Sequence, residues 1–269
     1  MEITGLFLFW VLFPNKLRVI YDQVYSYFTN TNLFYEPGFR SNFSTDSCLI
    51  HLTDFIRFEM DKGNMVAMLL LDLQKAFDTV DHSILLMKLE ASGLGNDIHF
   101  WFWSYLSDRT QLIDLSGTHS SCSPITCGVL QGLILGPLLF LVYVNDMPAV
   151  VKNKLFLYAD DSGILVSGKN KQNIEPLLTE DLNCLRQWLI DNKLSLYLGK
   201  TEFILFGSPQ KIECKPSLEI ACNNLAIKPT SSVKYLDATL YQTLSFSEMA
   251  QSLLNKANAR LKFVYRNRQ

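Results

Sequence analysis

An α+β fold is what this sequence predicts, and three observations predict it. Helical and extended segments alternate in mixed order. The extended segments meet through tight turns rather than regular βαβ crossovers, and one short, unbroken apolar run reads as a strand buried on both faces. The 269 residues, 48% hydrophobic and 19% charged, suffice for a large core and exclude a disordered or collagen-like chain.

The apolar run at residues 5–13 falls well short of the roughly 20 residues that span a bilayer. It also lacks the basic flank and cleavage site of a signal peptide. A buried strand or helix, or a ragged start of the reading frame, is expected there, with no membrane segment and an intracellular location. Residues 17–28 read as a helix, followed by a turn at Pro37-Gly38 and a second helix over 45–62, capped by Ser44 or Thr45. The central strand is expected over 65–73, bounded by Gly63-Asn64. Asp72 stands where its apolar run meets solvent.

Helices are expected next over 83–91, closed by Gly93, and over 97–106, rich in aromatics. Residues 111–116 and 121–127 read as a hairpin across Gly117-Thr118. Pro137 is placed to open a helix running to residue 147, since proline is tolerated in a first turn. Two short strands over 154–158 and 163–166 enclose Ala159-Asp160-Asp161-Ser162. A helix over 173–192 and a strand over 202–206 follow.

Chemistry concentrates at the enclosed turn. Adjacent carboxylates such as Asp160 and Asp161 repel one another unless a cation neutralises them. An ordinary polar turn would also use aspartate. Asp72, at the end of another buried strand, changes the balance: side by side, the two elements would converge three carboxylates, enough for a two-metal site of hard oxygen ligands.

Other features are plainer. The net charge of −2 gives no global signature of nucleic-acid binding, so such a function must rest on local patches. The six cysteines form no CxxC pair and read as reduced, mostly buried thiols rather than zinc ligands. Residues 249–269 carry Lys256, Arg260, Lys262, Arg266 and Arg268 without an acidic residue. Ser245 and Glu248 ahead of them form a capping-box pattern. Lys256 and Arg260, four apart, share a helical face.

Several of these segments together resemble the reverse transcriptases, in particular those of non-LTR (LINE-like) retrotransposons. Tyr158-Ala159-Asp160-Asp161 resembles their Tyr-x-Asp-Asp signature. The stretch from Leu71 through Asp72 and Phe77 to Asp78 resembles their first acidic motif. Gly128-Val129-Leu130-Gln131-Gly132, continued by Leu135-Gly136-Pro137, resembles their Gly-Val-Pro-Gln-Gly-Ser-x-Leu-Gly-Pro segment. Gly38-Phe39-Arg40, the stretch from Asn192 to Lys200-Thr201-Glu202, and Val233-Lys234-Tyr235-Leu236 match further motifs in the same order.

The resemblance implies a right-hand polymerase palm with partial fingers and a truncated thumb. Partial fingers would take residues 1–62, the palm with inserted fingers elements 63–240, and the start of a thumb 241–269. It implies an RNA-directed DNA polymerase that uses an RNA template, a DNA primer and dNTPs. Asp72, Asp160 and Asp161 would hold two magnesium ions, with manganese as the substitute, and Lys200 would protonate pyrophosphate, with a solvated surface lysine as its alternative. Phe77 would be the aromatic gate against the nucleotide sugar, with plain core packing as its alternative. Gln131 and Gly132 would face the nucleotide, and Arg40, Tyr158, Lys256 and Arg260 would touch nucleic acid, with a plain basic surface helix as the alternative for the last two.

The match departs from the family at Leu130 for proline, Leu133 for serine and Asp237 for glycine. The segment before Tyr21 and the thumb are short, and no endonuclease region is present, so the full element is expected to supply both. A catalytically inactive retroelement remnant, at most binding nucleic acid, is the alternative reading. An aspartic protease is disfavoured, because Val80 follows Asp78-Thr79 where that motif needs glycine.

Overall fold

A computed structural model describes residues 14–35, 44–115, 118–129, 134–158, 161–214, 217–222, 225–245 and 247–266. The apolar run at 5–13 and the Gly38-Phe39-Arg40 element lie outside them.

Helix α1 (Pro14–Asn30) and helix α2 (Thr45–Asp61) come first. Ser44 closes a reciprocal capping box on α2 with Ser47, which settles the choice between Ser44 and Thr45. Strand β1 (Met65–Asp72) follows, then helices α3 (His82–Ala91) and α4 (Asn96–Leu106). The expected hairpin is a ribbon paired in two pieces, β2 (Thr110–Gln111) with β5 (Ser123–Pro124) and β3 (Asp114–Leu115) with β4 (Thr118–His119).

Helix α5 (Leu135–Val144) begins two residues before Pro137 and stops before a separate 3-10 turn, Met147–Val150. Nine of its ten residues are buried, so it is a core helix with no polar face. Strands β6 (Lys154–Tyr158) and β7 (Asp161–Gly168), helix α6 (Lys171–Asp191) and strand β8 (Glu202–Phe206) continue the chain. Past them come a short helix α7 (Pro209–Glu213), strands β9 (Ile220–Cys222) and β10 (Leu225–Thr230), the hairpin β11 (Ser232–Tyr235) and β12 (Ala238–Tyr241), and helix α8 (Ser247–Arg266).

Six strands form one sheet in the order β6-β7-β1-β8-β10-β9, antiparallel except for the β10–β8 pair. The α+β expectation is borne out, and β1 is central as its composition requires. Its even positions Val66 and Met68 pack with Ile204, Phe206 and Leu165 under α2 and the β11–β12 hairpin. Its odd positions Ala67, Leu69 and Leu71 pack into the larger core with α1 and α3 to α6.

The cysteines meet the expectation in one half and not in the other. Of the six cysteines only Cys48 and Cys222 are buried, and all six are free. Cys184 lies on the exposed face of α6, and Cys122, Cys127 and Cys214 sit in turns or at element ends, where composition carries no burial signal.

Candidate active site

Register puts the acidic residues together. Asp72, the last residue of β1, is the Cα partner of Asp161, the first residue of β7, and Asp161 is in turn the partner of Tyr158 at the end of β6. Directly opposed residues share a face, so Tyr158, Asp161 and Asp72 form a row across three strands at one sheet edge. Sequence reasoning had put Asp161 inside the turn. Strand β7 in fact starts two residues earlier than expected, because Asp161 and Ser162 complete the pairing with both neighbours. Ala159 and Asp160 lie between the paired positions and outside the described residues.

Asp72 and Asp161 line a cleft of about 270 Å³ together with Lys200, Glu202 and Lys234. Lys200 reaches Asp72, its Nζ 3.7 Å from Oδ2. It does so because the turn that carries it is fastened to the end of β1. The Tyr197 N–H donates to the Asp72 carbonyl at 2.8 Å, the Gln74 N–H donates to the Ser195 carbonyl at 2.8 Å, and Leu73 bridges Leu196. Lys234 pairs with Asp237 at 2.7 Å. Its pKa is raised by that hydrogen bond first, and by Asp161 to a smaller degree.

The remaining expectations divide. Phe77 is buried, its ring stacked on Phe140 with centroids 4.5 Å apart, which is the core-packing alternative. Gln131, Gly132, Leu130, Leu133 and the Lys256 side chain lie outside the described residues. Arg260 is exposed on α8. Among the described residues no three His, Cys, Asp or Glu side chains gather as a metal site. The pair they do contain, Asp72 and Asp161, supplies the hard oxygen donors that magnesium takes.

Sequence reasoning missed the support behind this row. Asp81 caps α3, accepting from the Ser83 and Ile84 N–H groups, and pairs with Lys193 at 2.6 Å. Burial works against its charge, yet the Lys193 and Ser83 hydrogen bonds prevail and hold its pKa down at about 2. The Tyr143 hydroxyl donates to the Asn192 carbonyl at 2.6 Å and accepts from the Asp81 N–H at 3.3 Å. Burial pushes that hydroxyl's pKa up to about 12. His82 hydrogen-bonds the Gly128 carbonyl at 2.9 Å, and burial lowers its pKa. Gly128 and Val129 donate to the carbonyls of Val80 and Phe77, both at 2.8 Å. The segment leading to Gln131 is thereby pinned to the turn that follows Asp72. An aspartate two residues before Ser83 at a helix start is the one signal that could have found Asp81.

The family described as "Reverse transcriptase (RNA-dependent DNA polymerase)" matches residues 13–240. The chain belongs to the reverse transcriptase family. The RNA-directed DNA polymerase from mobile element jockey of Drosophila melanogaster is 29% identical over 79% of this chain, and the jockey polymerase of Drosophila funebris is 27% identical over 84%. A Pol polyprotein from the retrotransposable element R2 of Popillia japonica is 30% identical over 37% of the chain. These relatives bear out the resemblance to non-LTR retroelements. The chain spans only 24% and 25% of the two jockey proteins.

Two solved structures of telomerase from Candida tropicalis, each 16% identical, superpose with TM-scores of 0.53 and 0.55. They cover 73% and 87% of this reverse transcriptase chain and 35% and 46% of their own. Identity that low shows the fold alone, a right-hand polymerase. No helix among the described residues is long and apolar enough to cross a membrane.

Proposed function

We propose that the chain is the polymerase domain of a retroelement, copying an RNA template onto a DNA primer from dNTPs inside the cell. The cross-strand pairing of Asp72 with Asp161 carries this reading. It brings two carboxylates from distant sequence to one sheet edge, within a family of RNA-dependent DNA polymerases. Asp72, Asp161 and Asp160 would hold two magnesium ions, or manganese in their place. Bound there, the ions would lower the pKa of a primer 3′-hydroxyl and neutralise the leaving pyrophosphate.

The chain's own residues supply the rest. Asp72 and Asp161 fix the metal donors on paired strands rather than on a mobile loop, which limits their drift. Lys200, tied to the same strand end, would donate a proton to pyrophosphate. Tyr158, beside Asp161, would lie along the primer end, while Arg40, Lys256 and Arg260 would contact phosphates. Gln131 and Gly132 would face the nucleotide. Residues 1–62 would form partial fingers, 63–240 the palm and 241–269 the start of a thumb. The rest of the thumb and an endonuclease would come from the longer element.

Phe77 separates two roles by substitution. Phe77→Leu keeps most of the buried volume, so the fold persists, while ribonucleotide incorporation rises only if the ring meets the sugar. An inactive remnant is the second reading, favoured by Leu236 and Asp237, both at positive φ where glycine or asparagine would relax the turn. Primer extension on an RNA template, comparing the natural chain with Asp161→Asn, decides between the two. Magnesium-dependent product from the natural chain alone supports the polymerase. No product from either leaves the remnant.

A further inference from the structure

Two lysines enter the cleft and are placed differently. Lys234 is held by Asp237. Lys200 reaches the cleft on the turn stitched to the end of β1, and its ammonium lies 3.7 Å from Asp72 Oδ2 and 5.3 Å from the centre of the Tyr197 ring. A cation at that distance over an aromatic face is attracted to it, so the ring helps keep the ammonium beside the carboxylate. Asp72 and Asp161, paired across the strands, repel each other when both are ionised. One positive charge at Asp72 relieves that repulsion. It also occupies one side of the carboxylate that a hard cation would need.

We propose that Lys200 is the counter-ion of Asp72 in the metal-free cleft, and that a divalent cation binds only by displacing it. Entry of metal then releases the ammonium towards the mouth of the cleft, where an anionic phosphate would meet it. One lysine thus serves the empty and the loaded site in turn. The inference rests on the metal-dependent reading of the site, and its test uses no turnover.

The full chain is titrated with Mn2+ alone, without nucleotide or nucleic acid, and binding is read from loss of the free-ion electron paramagnetic resonance signal. Lys200→Met is expected to tighten binding roughly two- to five-fold, the ratio that an exposed ion pair is worth. Lys200→Arg should stay with the natural chain, and the gain in Lys200→Met should shrink as salt is raised. The Lys200 side chain is 69% exposed, so neither change threatens the fold. Unchanged or weaker binding by Lys200→Met overturns the counter-ion role while leaving the metal site standing. Equal binding by the natural chain and Asp161→Asn overturns the metal site itself, and the inference with it.

Discussion

Asp237 occupies the second position of a two-residue hairpin loop, since Tyr235 pairs with Ala238 across β11 and β12. Leu236 and Asp237 have φ of 46° and 64°, the doubly left-handed geometry of a type I′ turn. A residue with a side chain is disfavoured there by about 1 kcal/mol or more. Asp237→Gly should therefore raise the urea midpoint, since the Lys234–Asp237 pair it removes is almost fully exposed. A lowered midpoint would show that the pair matters more than the strain. Gly128 is the converse case, with φ of 96° and a Cβ position only 3.1 Å from the Asp78 carbonyl oxygen. Gly128→Ala should destabilise by more than about 1 kcal/mol, measured by the same unfolding curve. Both positions sit in segments whose motifs were legible in the sequence. Their backbone angles were not, because nothing in residue order states where a chain must turn left-handed.

At the scale of elements, Asp81 and Lys193 join the start of α3 to the turn after α6, and Tyr143 of α5 completes the junction. The folded carboxyl of Asp81 titrates at about 2, below its ordinary value of 3.8. A depressed carboxyl contributes stability that is present above the unfolded pKa and lost as pH falls towards the folded one. Acid unfolding should therefore draw on this junction between about pH 4 and pH 2. Lys193→Met should shift the acid midpoint upward while leaving the neutral-pH spectrum unchanged. An unshifted midpoint would remove the junction from the account.

Asp181 makes a second link of this kind. Nearly inaccessible on α6, it accepts from the Lys152 and Asn153 N–H groups and the Asn153 side chain just before β6. Asp181→Leu strands these part-buried donors and should cost about 1 kcal/mol or more in chemical denaturation. The elements themselves were largely legible. Period and composition gave β1, β6 and β8 nearly to the residue, because a strand buried on both faces is a continuous apolar run. The β9 to β12 region was not, since its short strands alternate over polar residues and are fixed by pairing partners far away in sequence.

For the whole molecule, the decisive fact is sheet order. Placing β1 between β7 and β8 brings residue 72 opposite residue 161 and lets the 195–201 turn close over the same edge. Which carboxylates the strands would bring together was legible from their positions at the ends of apolar runs and from the family's motifs. That Asp161 belongs to the strand, and that Asp81, His82 and Tyr143 stand behind the site, depends on long-range pairing that no local pattern encodes. The most direct test is to let a metal mark its own site. Iron(II) bound in place of magnesium, with ascorbate and peroxide, cleaves the backbone beside its ligands. The expected result is cleavage confined to the segments around Asp72 and Asp161, suppressed by excess Mg2+ and absent in Asp72→Asn. Cleavage elsewhere, or cleavage indifferent to Mg2+ and to Asp72→Asn, would contradict the site.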